Sequence, residues 1–232
     1  MIKISLALTL VLAGFVASVA QSKRVKQPRE VMEAYQVCSE FRHSLAEDLD
    51  FSRAFEATFV TNPAQRRQIA IAESEIEGVD LAQVDDATLL GIYKDQTQLL
   101  LLSLPLLIVE DQPKEKLFPP QFEEIFKQPR PKDPQQLRAF ATQLKRDLAD
   151  FRAHLDKLAA TNPSVAEAVR ELKKNLSQQS DPPAHVVKPL TAYSKGRVLL
   201  PAARYYDIDD CMVIREGAKM RMIGFIFLKF RL

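Results

Sequence analysis

Apolar residues recur at steps of three and four through most of this chain, and only its C-terminal segment changes period. Between Pro28 and Val60 a stripe of Val31, Ala34, Tyr35, Cys38, Phe41, Leu45 and Leu49 is followed by Phe51, Phe55 and Phe59 at i, i+4, i+8. The phase slips at Asp48–Asp50, which predicts a kink or a break there. Asn62 and Pro63 suit the cap and first position of a second helix, "PAQRRQIAIAESEIE", and Gly78 suits its left-handed end. Asp85-Asp86 then cap "ATLLGIYKDQTQLLLLSL", which is expected to break before Pro105. Leu99 to Val109 is too short and too interrupted to span a bilayer. It reads as a kinked helix buried in the core, with a cavity for an apolar ligand as the rival reading.

Residues 112–134 carry six prolines and read as a linker, with "QFEEIF" supplying one or two helical turns. Leu137, Phe140, Leu144, Leu148, Phe151, Leu155 and Leu158 then stripe a long amphipathic helix. A second "TNP", Thr161-Asn162-Pro163, starts its partner, "SVAEAVRELKKNLSQQ", so an αα-hairpin is expected. The windows 50–63 and 150–163 share five of fourteen residues. A duplicated hairpin would explain this, but so would repeated use of good capping chemistry, and the latter is preferred because identity fades outside the window.

After residue 181 the period becomes that of strands. "GRVLL", "CMVIR" and "MRMIGFIFLKF" predict a β-hairpin turning at Gly217, with "GRVLL" as a third strand. Simple alternation puts Met222, Gly224, Ile226, Leu228 and Phe230 on one face and Ile223, Phe225 and Phe227 on the other. Both faces are apolar, so both should be covered. The sheet either closes the helical body or offers Ile226, Leu228 and Phe230 as an edge for a partner strand, with Lys229 and Arg231 discouraging such pairing. The fold class is therefore mainly α: helical hairpins or a bundle with a small C-terminal antiparallel β-hairpin or three-stranded sheet. Its segments are 1–20, 21–111, the linker 112–134, a hairpin at 135–180, and the β segment 181–232 packed on the helices.

The first twenty residues change this picture. Lys3, the apolar run Ile4 to Phe15, and Ser18-Val19-Ala20 form a signal-peptide pattern cleaved after Ala20. Secretion or a periplasmic location follows, with no membrane span after cleavage. The alternative is an N-terminal anchor, although Ile4 to Ala20 is only 17 residues long. Lys23, Arg24, Lys26 and Arg29 directly behind the segment resist translocation. In an oxidising compartment Cys38 and Cys211 can pair; two separate buried thiols are the other reading.

Charge and motif narrow the chemistry. The formal net charge is +2 with no basic stripe, so nucleic acid is not an expected partner. Six glycines form no phosphate loop, and no metal, thiol or hydrolase motif occurs, so no cofactor is implied. The nearest metal signal is Glu40, His43 and Glu47 on one helix face, with Asp150 and His154 as a second pair. Surface salt bridging explains them more simply. The reading is an exported, non-catalytic binding or structural module, with another envelope protein as its partner class. An enzyme or metal site assembled only in the fold is the alternative.

Overall fold

The computed structural model describes residues 28–74, 76–119, 131–178, 193–195, 198–200, 205–208 and 211–225. The signal segment, the "QFEEIF" turn, and Ile226, Leu228 and Phe230 lie outside the described residues. The protein is mainly helical with a small three-stranded antiparallel sheet at its C-terminal end.

Helix α1 (Arg29–Asp48) buries Val31, Ala34, Cys38, Phe41 and Leu45, the stripe read from the sequence. The phase slip is a full break. Leu49 takes a left-handed conformation, φ 55°, and its N–H closes the helix on the Leu45 carbonyl at 2.9 Å. A non-glycine residue there costs about 1–2 kcal/mol. Leu49 is 3% exposed, and burying its side chain returns about 1.5–3 kcal/mol, so the leucine stays. The joint is pinned from outside: the buried Gln98 amide accepts from the Phe51 N–H at 2.5 Å and donates to the Leu49 carbonyl at 2.6 Å. Asp50 then caps α2 (Phe51–Thr58). Phe51, Phe55 and Phe59 pack with Phe41 and Tyr93 as one aromatic cluster, Phe55 and Phe59 stacking at 4.2 Å.

Two helix ends differ from expectation. Helix α3 (Pro63–Glu73) stops before Gly78, because Ile76 and Val79 pack on the core from irregular backbone; Gly78 keeps its positive φ in the turn beyond. Helix α4 (Asp86–Ile108) runs through Pro105 instead of breaking before it. Leu101, Leu102, Leu104 and Leu106 are all buried there, which outweighs the roughly 3 kcal/mol cost of an interior proline. Lys114, on the single turn α5 (Lys114–Leu117), completes the end by donating to the carbonyls of Leu106, Leu107 and Val109.

Helices α6 (Pro134–Thr161) and α7 (Pro163–Ser177) form the expected hairpin, joined by Asn162 alone. α4 packs on α6 and α7, α1 packs on α7, and all of them share one hydrophobic core with the inner face of the sheet.

Among the described residues, strands β1 (Tyr193–Lys195) and β2 (Val198–Leu200) pair with each other and not with the main sheet. "GRVLL" is therefore not the third strand of the main sheet. That strand is β3 (Tyr205–Ile208), followed by β4 (Cys211–Glu216) and β5 (Lys219–Phe225) in the order β3-β4-β5. Four residues containing one Asp gave too short an alternation to mark β3. Gly217 turns the hairpin with φ 60°. A register shift at Met212/Val213 leaves Ile223 as an extra residue on β5. The alternation inverts across it: Met222 and Phe225 face the helical core, while Ile223 faces a second cluster with Val60, Ile69, Tyr205 and Ile214. Both faces are indeed covered, but Phe225 lies on the side opposite to the one simple alternation predicts.

The sheet is fastened to α1 at several points. Cys38 and Cys211 form a buried disulfide with Cα atoms 6.0 Å apart. Arg215 pairs with Glu33 at 3.1 Å, and the Tyr206 hydroxyl donates to Glu30. Hydrogen bonds from Arg29 and then Arg215 hold the Glu33 carboxyl below its ordinary range. On β5, the Met222 carbonyl accepts from the Val60 N–H at 2.9 Å, covering part of the outer strand edge.

Candidate functional site

An open groove runs between the end of α4 and the first three turns of α7. Its floor is apolar, made of Ile108, Val109 and Ala168, and it encloses about 970 Å³ of space, open solvent included. Its rim is acidic. Glu110 and Asp111 follow α4, and Glu167 and Glu171 stand one turn apart on α7. No Lys, Arg or His is among the residues that line it.

Local chemistry puts these residues there and holds them. Asn162 lets α7 begin, its side chain accepting from the N–H groups of Ser164 at 3.1 Å and Val165 at 3.4 Å. Across the groove, Gln112 and Asn162 exchange side-chain hydrogen bonds at 3.1 and 2.8 Å. Asp111 accepts from the Ser164 hydroxyl at 2.7 Å. Three hydrogen bonds therefore tie the two walls together, and the groove is built before anything enters it.

The two exposed ion pairs beside it are weak. Glu167 pairs with Arg170, and Glu171 with Lys174 at 3.8 Å, with side chains between 46% and 69% exposed. Such pairs are worth about 0–1 kcal/mol and exchange readily for an incoming cation.

The residues singled out in the sequence are placed elsewhere. Glu40 accepts from Gln36 at 2.9 Å and Glu47 pairs with Arg53 at 3.0 Å. His43 is exposed at a cleft with Tyr35, Ser39 and Arg42, whose free volume of about 10 Å³ admits one water at most. Asp150 is exposed in mid-helix on α6, and His154 is hydrogen-bonded through Nε2 to the Leu117 carbonyl at 2.7 Å. Among the described residues no three His, Cys, Asp or Glu gather as metal ligands would. Cys38 and Cys211 are brought together. Leu99, Leu101, Leu102, Leu104 and Leu106 are buried in the core, while Leu100 and Leu107 are the exposed leucines of that run.

Asp95 on α4 is a carboxyl held above its ordinary range, because burial outweighs the pull of Lys145 and Lys94. It is not among the groove's lining residues. No motif in the sequence marks the rim residues as a site. The i, i+4 spacing of Glu167 and Glu171 was legible, but their approach to Glu110 and Asp111 depends on how α4 meets α7. No family model, no curated protein and no solved structure matches this chain.

Proposed function

We propose that this protein is an exported, non-catalytic binding module of the cell envelope. The observation that carries this reading is the buried bond between Cys38 and Cys211, 173 residues apart, which fastens the C-terminal sheet to α1. A structural disulfide of this kind persists in an oxidising compartment and is rare in the cytosol. The signal-peptide pattern at residues 1–20 agrees with it. Among the described residues no helix is long and apolar enough to cross a membrane. The body that results is a rigid support for a surface, and the preformed groove between α4 and α7 is the surface it presents.

The test is made on the protein as its native host produces it. Intact mass, with and without reduction before thiol alkylation, should show a chain starting at Gln21 whose two thiols react only after reduction. A full-length mass with both thiols open to alkylation overturns the export reading. Amine-reactive cross-linking of intact cells should then give a discrete adduct with another envelope protein. Recovery of the uncross-linked chain alone overturns the binding role.

A further inference from the structure

Building on that reading, we infer that the groove between α4 and α7 receives a basic peptide segment in which Lys or Arg alternates with aliphatic side chains. The argument is one of complementarity. Half-buried Ile108, with the buried Val109 and Ala168 beside it, offers a small apolar floor, which an aliphatic side chain covers with release of water. Glu110, Asp111, Glu167 and Glu171 stand around it without a lining cation. Four carboxylates so placed repel phosphate, nucleic acid and anionic lipid heads, and attract ammonium and guanidinium groups. The rim is not a multivalent metal cage, since no three ligating groups converge among the described residues.

Two further features favour a peptide. The walls are already braced by the Gln112–Asn162 pair and by Asp111 with Ser164, so little ordering cost falls on the protein. The exposed partners of Glu167 and Glu171, Arg170 and Lys174, can swing into water when peptide cations replace them. Alternation of charge and apolar side chain in the ligand matches a floor flanked by two acidic rims. Because the attraction is between partly exposed charges, binding weakens as salt rises.

The experiment uses the full-length, oxidised protein and a fluorescein-labelled peptide of alternating Lys and Leu, read by anisotropy. Saturable binding is expected, weakened by added salt and absent for the same peptide with Glu in place of Lys. The double variant Glu167→Gln/Glu171→Gln should raise Kd about tenfold, two rim contacts of ordinary strength. A matched change of charge elsewhere, Asp156→Asn/Glu115→Gln, should leave Kd within about twofold. Circular dichroism of both variants must match the wild type.

Absence of saturable binding to the wild type overturns the groove assignment. Equal weakening by the matched variant also overturns it, since attraction would then be to charge in general. Equal binding of a peptide with Ser in place of Leu removes the apolar floor from the site and overturns the proposed ligand class. Failure here with a discrete envelope adduct still formed would relocate the binding surface while keeping the binding module. Failure of both would remove the module reading itself.

Discussion

At Thr61-Asn62-Pro63 the Asn side chain accepts from the Gln65 N–H at 3.2 Å, and at Thr161-Asn162-Pro163 the same side chain accepts from Ser164 and Val165. Both start a helix with Pro in its first turn. What lies around them differs. The first turn is held by a carboxylate from the far end of the chain: Glu216, at the tip of the β4–β5 hairpin, accepts from the N–H and hydroxyl of Thr61 at 2.9 and 2.6 Å and from the Asn62 N–H at 2.7 Å. The second is held by the neutral amide of Gln112. The preceding chain differs too. Phe59 and Val60 are extended against β5, whereas α6 is helical up to Thr161. Asp50 caps a helix, while Asp150 stands in the middle of one. The two windows are not structural copies. A three-residue signal starts a helix anywhere, and a polar partner distant in sequence decides where that helix points.

Removing the bolt that carries the first partner should separate the two turns most. Cys38→Ala/Cys211→Ala opens a loop of 173 residues, worth about 5 kcal/mol by the chain-entropy argument. The urea midpoint should fall accordingly. At matched global stability, amide exchange should accelerate more at Thr61 and Asn62, which depend on the sheet, than at Ser164 and Val165, which do not. Equal acceleration at both turns would mean that the sheet is not what holds the first.

Glu216→Gln acts on the same turn without touching the disulfide. It keeps the shape of the side chain but replaces an ionised acceptor of three hydrogen bonds, a loss of about 2 kcal/mol at neutral pH. The wild-type contribution depends on pH in a stated direction. Burial pushes the Glu216 carboxyl up, but hydrogen bonds from Thr61 and Asn62, with the charge of Arg221, hold it below its ordinary 4.5. A carboxyl lowered by folding stabilises above its unfolded value, and that stability is lost as pH falls through the folded one. The stability gap between wild type and variant should be complete near neutrality and shrink progressively below pH 4.5. A gap that does not change with pH would assign the turn to shape alone.

Legibility followed the range of the interaction. Helix starts at Asn62, Asp85 and Asn162, the Phe51/Phe55/Phe59 stripe, the α6–α7 hairpin and the Gly217 turn were readable because each is decided within a few residues. The end of α3 and the passage of α4 through Pro105 were not, since packing on distant elements set them against local propensity. Ile223 shows the same limit on a smaller scale. One extra residue inverts the faces of β5, and nothing in "MRMIGFIF" marks where it falls. Of the candidate residues, the cysteines were legible as a possible pair but not as a settled one, since only the fold brings Cys38 and Cys211 together. The groove was missed because its four carboxylates come from two stretches that only the core brings together.

The smallest effect expected is also the one that joins stability to the groove. Gln112→Ala removes one half of the reciprocal amide pair and leaves Asn162 capping α7. Because that pair is only part-buried and water can replace it, the loss should be about 1 kcal/mol. Asn162→Ala removes the cap together with the pair and should cost about 2 kcal/mol, against about 1 for Asn62→Ala, whose turn keeps the Glu216 clamp. Combining Asn162→Ala with Gln112→Ala should therefore cost no more than Asn162→Ala alone, within about 0.5 kcal/mol, since both delete the same contact. A fully additive double variant would show that Gln112 and Asn162 act separately. The wall of the groove would then owe its rigidity to the bond between Asp111 and Ser164 instead.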